Sequence, residues 1–207
     1  MLPVPSLAPS SALDEETARS ELYGLLALLY YAPPTAALLA QLRVAVTEAP
    51  AAGAFLEEPW RALVGLAREL PAEAIQSEYD ALFGGIGKPE IYLYGSHFLS
   101  GFLNEKPLAR LRADLDQLGL ARDQKMSETE DHIAYLCEVM RYLIAGDDVA
   151  VANLTRQREF FAVHLQPWVM RLCDALEQHP KACFYAALAQ LTRAFMGVEA
   201  QGFDMLT

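Results

Sequence analysis

The chain has 207 residues, 53% of them hydrophobic and 21% charged, which is globular rather than disordered and enough for one domain or two small lobes. Its 16 Lys and Arg against 27 Asp and Glu leave a formal charge of −11, a field that repels nucleic acid and anionic membranes and favours basic ligands. No run reaches the roughly 18 unbroken apolar residues of a membrane span, so membrane insertion is not expected.

Helical periodicity recurs along the chain and strand alternation is nearly absent. Residues 1–12 carry three prolines and no basic residue before Ser11, and they read as a flexible arm rather than a signal peptide. Ser11-Ala-Leu-Asp14 offers a capping-box start to a helix with Ala18, Leu22, Leu25, Leu26 and Leu29 on one stripe. Pro33-Pro34 stops it, and Thr35 is placed to cap a second helix that buries Leu38, Leu42 and Val46. Pro59 opens a third, with Trp60, Leu63, Val64 and Ala67 inward. Ile75, Tyr79, Leu82 and Phe83 mark a fourth.

Gly84-Gly85-Ile86-Gly87-Lys88-Pro89 then breaks the helical pattern, and Ile91-Tyr92-Leu93-Tyr94 is an apolar run with no helical face. Helices resume around Ser96, and Leu108, Leu111, Leu115 and Leu118 form a stripe ending at Gly119. Ala121 to Met126 is a polar connector. Ser127-Glu-Thr-Glu130 is a second capping-box pattern, predicting a helix that buries Ile133, Leu136, Cys137, Met140, Leu143 and Ile144 and ends at Gly146. Asp147 or Asp148 is expected to cap the next, running towards His164. Pro167-Trp168 opens a helix with Val169, Leu172, Cys173 and Leu176 inward, and His179-Pro180 precedes a last one with Phe184, Ala187, Leu188, Leu191 and Phe195. The fold class is all-α, with about eight or nine helices.

Motifs for chemistry are missing where they would be needed. None of His97, His132, His164 and His179 has Glu three residues before it, as a carboxylate-bridged di-iron bundle requires, and there is no Cys-x-x-Cys or His-Glu-x-x-His. Gly87-Lys88 is followed by Pro89, which spoils a phosphate loop, and no serine sits in a nucleophile elbow. Three cysteines, Cys137, Cys173 and Cys183, cannot all pair within one chain and read as core thiols of a reducing cytoplasm. No catalytic residue, metal site or cofactor is expected.

What remains is Glu128-Thr129-Glu130-Asp131-His132. Acids there can simply complement the dipole of a helix start. Three carboxylates and a histidine beside a polar connector can also form a concentrated negative site that grips Arg or Lys by charge-assisted hydrogen bonds.

The order Tyr79-x-x-Leu82-Phe83-Gly84, a Gly/Pro loop, Tyr94-Gly-Ser96, then Glu128-x-x-Asp131-His132 resembles the TorD-like family of molybdoenzyme-maturation chaperones. Phe161, His164-Leu165, Pro167-Trp168, Phe184-Tyr185 and Leu188-Ala189 follow in the family's order, so the resemblance spans Ala18 to Glu199. Thr129 departs from it, since the family often has proline there. The resemblance implies two helical lobes joined by a hinge, here 13–120 and 121–207. It also implies a non-enzymatic, cytoplasmic chaperone, monomeric or homodimeric, with lobe exchange between chains within the family's range. Its partner would be an apo-molybdoenzyme catalytic subunit, such as a formate dehydrogenase or a DMSO/TMAO reductase-type enzyme. The chaperone would hold that subunit's N-terminal or twin-arginine segment until molybdopterin is inserted. Glu128, Asp131 and His132 would bind the peptide, with Tyr79, Leu82, Phe83, Tyr94 and Ser96 shaping the groove. A helical adaptor without signal-peptide binding, or a cysteine- or metal-dependent enzyme, are the alternatives.

Overall fold

The computed structural model describes residues 11–47, 56–84, 88–123 and 127–205. Residues 1–10 of the expected N-terminal arm, most of the glycine cluster at 85–87 and part of the connector at 124–126 lie outside these, while Ser11 and Ala12 of that arm are already helical. Among the described residues there are ten helices and one isolated antiparallel bridge, Tyr94 with His132.

Helix α1 (Ser11–Tyr31) is long because Pro33-Pro34 alone interrupts its pattern, and it buries Tyr23, Leu26, Ala27, Leu29 and Tyr30. Thr35 caps α2 (Ala36–Val44) as expected, its hydroxyl accepting from the Leu38 N–H at 3.2 Å. The buried pair is Leu39 and Leu42 rather than Leu38 and Val46, because the helix stops at Val44 and Val46 lies exposed beyond it. In α3 (Glu57–Glu69), Leu63, Val64 and Ala67 are buried, and in α4 (Ala72–Phe83), Ile75 and Leu82 are. The short α5 (Gly95–Ser100) leads into α6 (Lys106–Gln117), which ends at Gly119 in the left-handed region at φ 70°.

Helix α7 (Ile133–Ala145) buries eight of its 13 residues and is the centre of the fold. It lies against α1 on one side and α8 (Leu154–His164) on the other. Two N-terminal expectations change here. Asn153, not Asp147 or Asp148, caps α8, accepting from the Arg156 N–H at 3.1 Å, while Asp148 closes the preceding turn through the Ala150 N–H. Helix α7 starts at Ile133, five residues past its expected first turn, for a reason that belongs to the site below.

Helix α9 (Val169–Glu177) turns Leu172, Cys173 and Leu176 inward, and α10 (Phe184–Asp204) packs along α9, α3 and α4. The start of α10 is capped from a distance: Glu78 of α4 accepts from the N–H groups of Cys183, Phe184 and Tyr185 at 2.8–3.1 Å. A carboxylate at that position also complements the helix dipole. Cys137 and Cys173 are core thiols, as expected. Cys183 is exposed, because it stands ahead of the first turn of α10 instead of on its apolar face.

The core is continuous across the expected lobe boundary at 120/121, since α1 packs on α7 and α10 packs on α3 and α4. A buried polar tie reinforces it. Arg19 of α1 meets Glu199 of α10 through two hydrogen bonds of 2.7 and 2.8 Å, Gln157 of α8 accepts from Arg19, and Tyr23 donates to Glu199. Tyr30 and Thr192 share another hydrogen bond at 2.9 Å.

Candidate functional site at a chain crossing

Two non-helical segments cross where the resemblance places the peptide site. The Gly95 N–H donates to the Asp131 carbonyl at 2.9 Å, and the Ile133 N–H donates to the Leu93 carbonyl at 2.8 Å. The pairing explains the late start of α7. Backbone groups of 131–133 are engaged by 93–95 and are lost to an intrahelical ladder. His132 then becomes the cap, its Nδ1 accepting from the Ala134 N–H at 3.2 Å.

A turn closed by the His132 N–H on the Thr129 carbonyl at 3.0 Å leads into the crossing, and it leaves Asp131 on one side and His132 on the other. On the His132 side lies a cavity of about 230 Å³, lined by Tyr31, Tyr79, Phe83, Tyr94, Glu128 and His132 among others. On the Asp131 side lies a second, of about 370 Å³, to which Ser96, Leu99, Arg110, Asp131, His164 and Trp168 contribute. The sequence-predicted residues therefore divide. Tyr79, Phe83, Tyr94, Glu128 and His132 share the first cavity, Asp131 and Ser96 the second. Leu82 lines neither, being wholly buried in the core.

Asp131 is 3% exposed and already occupied: Oδ2 accepts from the Ser96 N–H at 2.8 Å and Oδ1 from the Thr129 hydroxyl at 2.6 Å. It fixes the start of α5 on the crossing. Glu130 is engaged by Arg112 at 2.8 and 3.0 Å. The concentrated three-carboxylate site expected from the sequence thus resolves into one carboxylate per task. Of the two that line a cavity, Asp131 is held by a backbone amide and Glu128 is not. Glu128 accepts hydrogen bonds from the Tyr94 and Ser127 hydroxyls, and no basic side chain among the described residues pairs with its carboxylate.

The walls around Glu128 are aromatic. Tyr94 meets the His132 ring edge-on at 5.1 Å, Tyr31 lies 6.4 Å from the same ring, and Tyr79 packs edge-on against Phe83 and Tyr185. The Tyr79 hydroxyl donates to the Tyr31 carbonyl at 2.7 Å, which satisfies an orphan acceptor at the end of α1 and ties α4 to it. Burial, aided by the Glu128 charge, pushes Tyr79 up to about 12 and raises Tyr94 further, so both remain neutral donors. His132 is driven down to about 4 by burial, with Glu128 and Asp131 opposing, so near neutral pH it is an uncharged ring. The cavity thus combines one carboxylate with neutral aromatic faces, which is the chemistry that accommodates a cation.

A family model described as the nitrate reductase delta subunit matches residues 49–174, more than half the chain and both segments of the crossing. The chain belongs to that family. Other members are similar in sequence over part of its length. The TorD chaperone protein of Aliivibrio fischeri is 27% identical over 135 residues, 61% of this chain and 63% of that protein. The TorD chaperone protein of Vibrio cholerae is 28% identical over 112 residues, 51% of each. The chain's match thus spans from about half to just under two thirds of the length of these curated relatives. A solved structure described as a candidate redox enzyme maturation protein from Archaeoglobus fulgidus shares the fold, with a TM-score of 0.52 at 18% identity, covering 94% of this chain and 97% of that one. The TorD-like resemblance and the all-α fold are therefore what the comparisons return.

Several lining residues of this delta-subunit family member were not among the expected ones: Tyr31, Tyr92 and Leu103 in the first cavity, Trp168, His164 and Arg110 in the second. A signal for the first set was present. Ile91 and Leu93 are buried while Tyr92 and Tyr94 are half-exposed, a two-residue period hidden in the apolar run. Trp168 shows why Gly95 follows Tyr94. A Cβ on Gly95 would stand 3.1 Å from the indole nitrogen, which itself donates to the His164 carbonyl at 2.6 Å.

Proposed function

We propose that this chain is a cytoplasmic, non-catalytic chaperone that binds the N-terminal or twin-arginine segment of an apo-molybdoenzyme and holds it until molybdopterin is inserted. Family membership and the TorD relatives support the class of activity. The observation that carries the peptide-binding reading is Glu128, a carboxylate held only by hydroxyl groups and facing aromatic rings. An Arg side chain entering there gains a charge-assisted hydrogen bond and a ring face, worth about 1.5–3 and 0.5–2 kcal/mol before desolvation costs. The charge of −11 would speed the approach of a basic segment, and that gain declines with added salt. His132 acts in this reading as a rigid neutral wall that caps α7, and Asp131 as the residue that locks α5 onto the crossing. No helix among the described residues is long and apolar enough to cross a membrane.

The test is fluorescence anisotropy of the full chain with a labelled leader peptide carrying two arginines ahead of an apolar stretch. The expected result is micromolar or tighter binding that weakens as salt rises and is largely lost when both arginines become glutamine. Equal affinity for the two peptides at every salt concentration refutes the reading.

A further inference from the structure

The segment 92–103 and the segment 128–132 each divide their residues between the two cavities. Tyr92 and Tyr94 line the Glu128 cavity, Gly95, Ser96 and Leu99 line the other, and Leu103 returns to the first. Helix α5 is the partition between them. Six helical residues span about 9 Å, and Leu99 and Leu103 are no more than about 14 Å apart along the chain. The outer edge of this partition is apolar and open: Leu99 and Leu103 are 42% and 40% exposed, and Phe102 is 69% exposed. An exposed row of large apolar residues beside two concavities is a mark of an interaction surface.

Charge gives the row a direction. At one end stands the Glu128 carboxylate, which no basic side chain among the described residues engages, Arg122 donating only to the backbone carbonyl of that residue at 2.9 Å. At the other the cavity is walled by Trp168, Leu111, Leu136 and Pro167 and rimmed by Lys106 and Arg110, the latter only 3.9 Å from Asp114 at its nearest ion-pair contact. One wall of this second cavity also holds the Ser96 hydroxyl, buried and without a hydrogen-bond partner, a polar group a bound chain can satisfy on local adjustment. The two concavities therefore differ in what they accept: a cation in the first, an uncharged apolar group in the second.

We infer that both cavities are filled by one extended partner segment, its cationic side chain in the Glu128 cavity and a large apolar side chain in the Trp168 cavity, with Leu99, Phe102 and Leu103 beneath the residues between. This rests on the peptide-binding reading above and adds to it a spacing rule. Taken as the gap to be bridged, the Leu99-to-Leu103 reach of at most about 14 Å is covered by about three to five extended residues. The occupant is thus a segment with a basic residue and a bulky apolar one at that interval, and a second basic residue next to the apolar anchor is opposed by Lys106 and Arg110.

The experiment uses the full chain and a set of labelled 14-residue Gly/Ser peptides with one Arg and one Phe at separations of one to nine, plus peptides with Arg alone and Phe alone. Affinity is expected to peak at separations of three to five, at least tenfold above both Arg alone and the separations of one and nine. Leu99→Gln, an exposed change checked by circular dichroism, is expected to erase that peak. Glu128→Gln weakens every Arg-containing peptide. Binding that depends on Arg but is flat across all separations overturns the two-anchor inference and leaves the cation site standing. Binding that ignores Arg, or none at all, overturns both.

Discussion

Two carboxylates sit beside a tyrosine hydroxyl in this molecule, and they are treated in opposite ways. Glu199 is closed: both oxygens are engaged by the Arg19 guanidinium, Tyr23 adds a third hydrogen bond, and the group joins α1 to α10. Glu128 is open: its donors are the neutral hydroxyls of Tyr94 and Ser127, and a cavity of about 230 Å³ stands in front of it. A closed buried pair makes the fold intolerant of losing either partner. An open carboxylate contributes little to folding and is available to a cation from outside.

That contrast is broken or sharpened by four measurements. The largest effect is expected from Glu199→Ala, which strands the Arg19 charge and should cost about 3–5 kcal/mol in urea unfolding. Next is pH. Between about pH 6.5 and 4 the unfolded chain takes up a proton at His132 that the folded chain refuses, so stability falls as pH falls through that window, by up to about 3 kcal/mol from this residue. Burial lowers His97 and His164 too, so His132→Asn, which keeps a capping side chain, should flatten the pH dependence of unfolding only in part. Third, Asp131→Ala removes the acceptor for the Ser96 N–H and the Thr129 hydroxyl and should cost about 2 kcal/mol. It should also loosen α5, seen as faster amide exchange of Ser96. The smallest change in stability, within about 0.5 kcal/mol, is expected for Glu128→Gln by thermal unfolding, although it should reduce binding of a cationic peptide most.

Much of the fold was legible because local pattern and tertiary packing agree. Leu63, Val64 and Ala67 in α3, Val169 to Leu176 in α9, and Phe184 to Phe195 in α10 are buried at the positions their period assigns. Where they disagree, tertiary contacts decide. Ser127 and Glu130 have the residue types and spacing of a capping box, yet the pairing of 131–133 with 93–95 holds that stretch out of the helix. The site was legible as a set of residue types and not as an arrangement. Neighbours in sequence such as Asp131 and His132 were expected to act together, and the turn at 129–132 sends them to different cavities. Trp168, in the turn ahead of α9, and Arg110, on α6, reach the second cavity from other parts of the chain, which no local pattern announces.

The most direct measurement is a double-mutant cycle between Glu128 and the arginines of a leader peptide, read by titration calorimetry at low and high salt. If this carboxylate holds the cation, Glu128→Gln and the peptide's Arg→Gln change should be strongly non-additive, with a coupling of about 1.5 kcal/mol or more that shrinks as salt rises. Additivity to within about 0.3 kcal/mol would mean that the arginines bind elsewhere, and that Glu128 does not hold the cation.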